Sequence, residues 1–151
     1  MCLDVSENQL NELPEELGKL RSLTDFMASH NNLDRLPFSI GQLTNLSVLK
    51  LEHNKLSKVH PNLGNCTKLQ ELFLRENILE EVGDWVANLS TLKILNVDCN
   101  RCTYITEKIE NLKLLGVLSL RNNLIERLPD EIGSCTKLMV IDVSGNRYAN
   151  N

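Results

Sequence analysis

Aromatic residues are scarce, 4% of the 151 residues with Trp85 the single tryptophan, so the interior has to be filled by aliphatic side chains. No apolar run reaches the length of about eighteen residues that a membrane-spanning helix needs. The opening Met1-Cys2-Leu3-Asp4-Val5-Ser6 has neither the basic nor the apolar region of a secretory leader. Positive charge is also in short supply: the formal net charge is -4, the basic residues are scattered, and no aromatic-rich basic stripe occurs, which excludes an ordinary nucleic-acid binder. A glycine-rich phosphate loop, a serine elbow and an isolated nucleophile-base pair are all missing, so nothing points to an enzyme or a cofactor.

What is present is a period. Asn8, Asn31, Asn54, Asn77, Asn100, Asn123 and Asn146 stand twenty-three residues apart, each with leucine-like residues three and five places before it. A period in this range marks a solenoid whose turns cannot bury an apolar face alone and must stack on their neighbours. The stretch before each asparagine, as in Leu46-Ser-Val-Leu49-Lys-Leu51-Glu-His-Asn54, alternates apolar and polar, the pattern of a half-buried strand. The asparagine amide stands where the chain leaves the strand and can bond unpaired backbone groups of neighbouring turns. The other half of each turn, as in Leu36-Pro-Phe-Ser-Ile40-Gly41-Gln-Leu43, reads as a short helix or helical turn with proline near its start and glycine near its end.

The fold class is therefore α/β: a leucine-rich-repeat solenoid with a curved parallel sheet on its concave face and short helices or helical turns on the convex face. Residues 1–151 are expected to form one array of about seven turns, the first and last incomplete, with neither caps nor a PDZ domain. The tail Tyr148-Ala-Asn-Asn breaks the pattern where another leucine is due. Such an array reads as a segment of a longer protein.

Stacked strands lie about 4.8 Å apart, so equivalent residues of successive turns form columns on the strand face. Six places before the asparagine stand Cys2, Asp25, Val48, Glu71, Ile94, Val117 and Val140. Four places before it come Asp4, Met27, Lys50, Phe73, Asn96, Ser119 and Asp142, and two places before it Ser6, Ser29, Glu52, Arg75, Asp98, Arg121 and Ser144. The column next to the asparagine holds Glu7, His30, His53, Glu76, Cys99, Asn122 and Gly145. Eight acids face three bases across these columns, so the concave face is acidic and suits a protein partner with basic segments better than nucleic acid. Phe73, Ile94, Val117 and Val140 are expected to add an apolar strip of the kind binding anchors use, although valine and isoleucine also simply suit strands. The candidate partner-binding residues are Asp25, Lys50, Glu52, Glu71, Phe73, Arg75, Ile94, Asp98, Val117, Arg121 and Val140.

The cysteines and histidines carry the competing reading. Cys66 and Cys135 occupy inward leucine places three periods apart, and Cys102 takes the place of Leu33 or Leu56, so these are expected to be core thiols. The Cys99-Asn-Arg-Cys102 spacing is a product of the repeat and lacks the second pair that a zinc or redox site needs. His30, His53, Glu76 and Cys99 share a column and stand close enough in register to reach one ion. A histidine pair without a third fixed ligand and an outer shell does not make a metal site. An odd cysteine count favours a reducing compartment, against which stand three glycosylation triplets at Asn45, Asn65 and Asn88. On the convex side, Val59-His60-Pro61, Val82-Gly83-Asp84-Trp85 and Ile105-Thr106-Glu107 replace the Leu-Pro pairs of other turns, and Trp85 there either packs across turns or offers a second contact surface.

The wording of the turns resembles one family in particular. Leu3-Asp-Val-Ser-Glu-Asn8, Ser29-His-Asn31, Leu95-Asn-Val-Asp98, Leu115-Gly-Val-Leu-Ser-Leu-Arg121 and Ile141-Asp-Val-Ser-Gly-Asn-Arg147 look like consecutive repeats of the LAP proteins (leucine-rich repeats and usually PDZ domains), the group of Scribble, Erbin, Densin and Lano. That resemblance implies a non-catalytic, cytoplasmic scaffold, peripheral to the membrane at the basolateral or junctional cortex, acting in apical-basal polarity and contacting Lgl-like polarity proteins. The family's PDZ domains, first repeats and terminal cap have no counterpart here, and its lipidation near the natural N-terminus does not carry over to Cys2, which lies within a repeat. A leucine-rich-repeat regulator of Ras-type signalling shares the same twenty-three-residue grammar and is the alternative.

Overall fold

In a computed structural model, described for residues 1–148, the chain forms nine short strands joined by 3-10 turns. These are β1 (Cys2–Asp4), β2 (Asp25–Met27), β3 (Val48–Lys50), β4 (Glu71–Phe73), β5 (Glu81–Val82), β6 (Ile94–Asn96), β7 (Tyr104–Ile105), β8 (Val117–Ser119) and β9 (Val140–Asp142). Seven of them make one parallel sheet in the order β1-β2-β3-β4-β6-β8-β9, and β5 pairs with β7 in a small second sheet. The pairing register repeats the sequence period: Leu3 lies beside Phe26, Phe26 beside Leu49, Leu49 beside Leu72, and so on to Leu118 beside Ile141. Each central strand therefore sends one residue inward and two outward, which is the alternation read in the sequence.

The return half of each turn is a 3-10 helix, at Glu15–Lys19, Phe38–Gln42, Pro61–Asn65, Asp84–Val86, Glu107–Asn111 and Asp130–Ser134. None exceeds five residues, because twenty-three residues leave no room for a longer helix once strand and corners are made. Pro14, Pro37 and Pro129 stand immediately before their helices in extended conformation, where a missing N–H costs nothing. Glycine follows at Gly18 and Gly41 because the next turn passes too close for a side chain: a Cβ at Gly41 would lie 2.5 Å from the Asn62 carbonyl oxygen.

Leucine, with Phe26 and a few valines and isoleucines, fills the space between sheet and helices, and Leu23, Leu46, Leu69, Leu92 and Leu115 are fully buried. The asparagines run beside this core as a polar ladder. Asn77 is typical: its Nδ2 donates to the carbonyls of Leu51 (2.9 Å), Leu74 (3.0 Å) and Arg75 (3.4 Å), and its Oδ1 accepts from Leu56 N–H at 2.9 Å. One side chain thus satisfies backbone groups of its own turn and of the turn before, at a corner that has no sheet partner. Cys66, Cys102 and Cys135 are buried as expected, each thiol donating to a carbonyl of the preceding turn. Trp85, 7% exposed, belongs to the core rather than to a surface. The anomalous tail Ala149-Asn-Asn lies outside the described residues.

Candidate interaction surface on the concave sheet

The sheet register brings the outward columns together as read. Asp25, Val48, Glu71, Ile94, Val117 and Val140 stand side by side from β2 to β9, and Met27, Lys50, Phe73, Asn96, Ser119 and Asp142 form the parallel column two residues on. Most are half-buried by their neighbours, while Val140 at the edge is 50% exposed. The apolar strip is less continuous than the sequence suggests. Ile94, Val117 and Val140 are true neighbours, but Phe73 lies in the other column beside Asn96, so it meets them only on the diagonal. Lys50 Nζ sits 5.4 Å from the Phe73 ring centroid, a cation-π contact that shields one face of the ring.

Many of the acids are already engaged. Glu52 accepts from Ser29 Oγ at 2.7 Å, and Asp98 accepts from Ser119 Oγ at 2.6 Å and from the Arg121 N–H at 2.8 Å. Asp25 accepts from Thr24 Oγ1. The carboxyls of Asp4 and Asp142 accept the backbone N–H groups of Ser6 and Ser144, and hydrogen bonds from these serines hold both below the usual carboxylate range. Glu76 takes His53 Nδ1 at 2.7 Å and Arg75 at 2.8 Å, and that partner raises the Arg75 guanidinium. Glu71, between Val48 and Ile94, accepts no hydrogen bond among the described residues. Its carboxylate, like that of the exposed Glu7 at the rim, has no side-chain partner among the described residues and is open to a partner's cation.

The column beside the asparagine differs from the other three. Glu7, His30, His53, Glu76, Cys99 and Asn122 all have φ between 52° and 57°, and Gly145 has φ 70°. They lie past the strands in the left-handed region, at the rim of the concave face. Sequence alternation cannot show this, because only Gly145 and Asn122 are of types that visit that region readily. There the rings of His30 and His53 stack, and no group of three His, Cys, Asp or Glu side chains among the described residues is placed to hold a metal ion.

A family model described as a leucine-rich repeat region matches residues 2–100. The chain belongs to the leucine-rich-repeat family. A second leucine-rich-repeat model matches residues 90–147. Among solved structures, a leucine-rich-repeat protein of Leptospira interrogans is 31% identical over 99% of this chain with a TM-score of 0.78. An internalin, InlF, of Listeria monocytogenes is 29% identical over 99% of the chain with a TM-score of 0.86. A TDR receptor is 28% identical over 95% of it, with a TM-score of 0.84. The chain spans 44%, 43% and 26% of those three proteins respectively. It matches no curated protein. Among the described residues no helix is long and apolar enough to cross a membrane.

Proposed function

We propose that this leucine-rich-repeat array is a non-catalytic protein-interaction module of a cytoplasmic scaffold for apical-basal polarity, acting at the basolateral or junctional cortex. The observation that carries the interaction reading is the seven-stranded concave face, on which Glu71, its carboxylate without a partner among the described residues, stands between the more charged strands β1–β4 and the apolar neighbours Ile94, Val117 and Val140. A partner segment with basic residues toward β2–β4 and an apolar anchor toward β6–β9 complements both halves. The polarity assignment rests on the resemblance of the turns to LAP repeats, and it makes an Lgl-like polarity protein the partner to try.

Isothermal titration of a purified Lgl-like protein into the wild type and into Phe73→Ala, Arg75→Glu and Glu71→Lys variants tests it, with circular dichroism confirming that each variant is folded. Binding by the wild type that is lost in the Glu71→Lys variant is expected. Equal binding by all the folded variants removes the concave face from the reading, and no binding by the wild type removes the polarity partner.

A further inference from the structure

We propose that the groove beside Trp85, on the convex side, is a second docking site and takes an acidic peptide segment of a partner protein. The groove, of about 490 Å³, is lined by residues 58–61 of one turn and by Glu81, Asp84 and Trp85 of the next, with Arg35 from the turn before. Three turns depart from the Leu-Pro pattern here. Pro14, Pro37 and Pro129 have no N–H to place, but His60, Gly83 and Thr106 at the same position have one. The Thr106 N–H is spent on the small sheet, donating to the Val82 carbonyl at 2.8 Å, whereas those of His60 and Gly83 have no acceptor among the described residues. Trp85 is the decisive residue. Its ring is 7% exposed and packs in the core, yet its indole N–H has no acceptor among the described residues. The one fully enclosed side-chain polar atom without a partner among those residues is Ser39 Oγ, so the indole N–H is open to the groove that Trp85 lines. An indole this deeply buried ordinarily keeps a hydrogen-bond partner, and here the acceptor has to come from outside the chain.

The free groups around it are mostly donors. Asp84 is already held by Lys108 at 2.5 Å and by the Thr106 hydroxyl at 2.6 Å. Arg35 meets Glu12 through one nitrogen, at 3.3 Å, which leaves the rest of its fork free. Lys58 is exposed and has no partner among the described residues. His60 Nδ1 accepts the Asn62 N–H at 3.1 Å, which places the proton of the neutral ring on Nε2 as one more donor. Glu81 is the one acid of the groove without a partner, and its Oε1 lies 2.6 Å from where a Cβ of Gly83 would stand, so it occupies part of the space an incoming carboxylate takes. A carboxylate satisfies several N–H groups at once and is the ligand such a set of donors fits. A peptide rather than a free ion suits the surroundings. Phe38, 66% exposed, stands edge-on to His60 with ring centroids 5.5 Å apart. Other turns have Glu15, Pro61, Asp84, Glu107 and Asp130 in its place, so stacking does not call for it, and it offers an apolar anchor next to the donors.

Trp85 is the single tryptophan, so its emission reports on the groove directly. The test titrates a blocked, glutamate-rich peptide with a central leucine into the purified chain at low salt, with the corresponding lysine-rich peptide and sodium acetate as comparisons. A saturable change in emission with the glutamate peptide alone is expected. Lys58→Glu and Phe38→Ala replace exposed side chains, and circular dichroism checks that both variants are folded. Each should raise the half-saturating concentration, Lys58→Glu by about tenfold, and Glu81→Gln should lower it. Glu71→Lys on the concave face should leave the titration unchanged, which separates this groove from the concave surface. No response to the glutamate peptide, an equal response to acetate or to the lysine peptide, a titration untouched by Lys58→Glu, or one abolished by Glu71→Lys would each overturn it.

Discussion

The rings of His30 and His53 lie face to face, their centroids 4.0 Å apart and their planes 14° from parallel. Twenty-three residues separate them in sequence, and both sit in the left-handed backbone conformation, with φ 55° and 52°. That shared conformation sets the two rings in register, and it turns His53 Nδ1 toward Glu76 Oε2 at 2.7 Å in the following turn. The rim of the concave face is thus a relay of side chains from adjacent turns. A double-mutant cycle on His53→Ala and Glu76→Gln should give a coupling of about 0.5 kcal/mol near neutrality, in the range of half-exposed pairs.

The left-handed column makes a second test. Cys99 holds φ 54° with a side chain, a conformation that costs a non-glycine residue about 1–2 kcal/mol. Cys99→Gly should therefore raise stability by about 0.5–1 kcal/mol after the entropy of the unfolded glycine is counted. Cys99→Val, β-branched at positive φ, should lower it by a similar or larger amount. Urea denaturation of the three proteins measures both, and a neutral Cys99→Gly would contradict the strain argument.

The solenoid, its strands and its inward leucines were legible because one period governs them all: Leu49, Leu72 and Leu95 hold the same place in the sequence and the same place in the sheet. The columns were legible for the same reason. Their conformational detail was not. Glu7 and Glu76 are not types that announce a positive φ; the signal lay in Gly145 and Asn122, two residues of the same column that tolerate it. The offset of Phe73 from Ile94, Val117 and Val140 was legible in the columns, whereas alternation says nothing of the Lys50 ammonium that settles over its ring.

The asparagine ladder should dominate stability in the middle of the array. Asn77→Leu leaves the Leu56 N–H and the Leu51 and Leu74 carbonyls buried without their side-chain partner, which should cost about 2–4 kcal/mol. Asn8→Leu, at an exposed corner bonded only within its own turn, should cost less than about 1 kcal/mol. Equal losses in guanidinium denaturation would show that the inter-turn bonds contribute nothing beyond local capping.

Acid stability should depend on two convex carboxylates that clamp successive turns. Glu15 accepts the N–H groups of Ser39 and Phe38, and the Ser39 backbone bond is the main cause holding its pKa below the ordinary value. Asp84 is held down first by Lys108 and then by the Thr106 hydroxyl, at 2.5 Å and 2.6 Å. Both groups bind protons more weakly in the folded chain than in the unfolded one. Their stabilisation is therefore complete above the ordinary carboxylate range and is lost as pH falls through the lowered folded values. Melting temperature should be level from neutrality down to that range and then drop. Glu15→Gln and Asp84→Asn should lower the neutral plateau and flatten the acid limb, and a limb of unchanged steepness in the double variant would mean that other carboxylates govern acid unfolding.

The thiols divide into two classes that one reagent should separate. Burial pushes Cys66 up to about 11 and Cys102 up to about 12, and raises Cys135 as well, while Cys2 is exposed and Cys99 half-buried at the concave rim. The thiolate is the reacting form, so the three core thiols should resist alkylation at neutral pH in the folded chain. Iodoacetamide followed by peptide mass mapping should label Cys2 and Cys99 first. Cys66, Cys102 and Cys135 should follow only at the rate at which their turns open, and that rate should be faster for Cys135 than for Cys66. Cys135 follows the helical turn Asp130–Ser134, where Ile132 and Leu138 are only partly buried, whereas Cys66 sits among fully buried leucines.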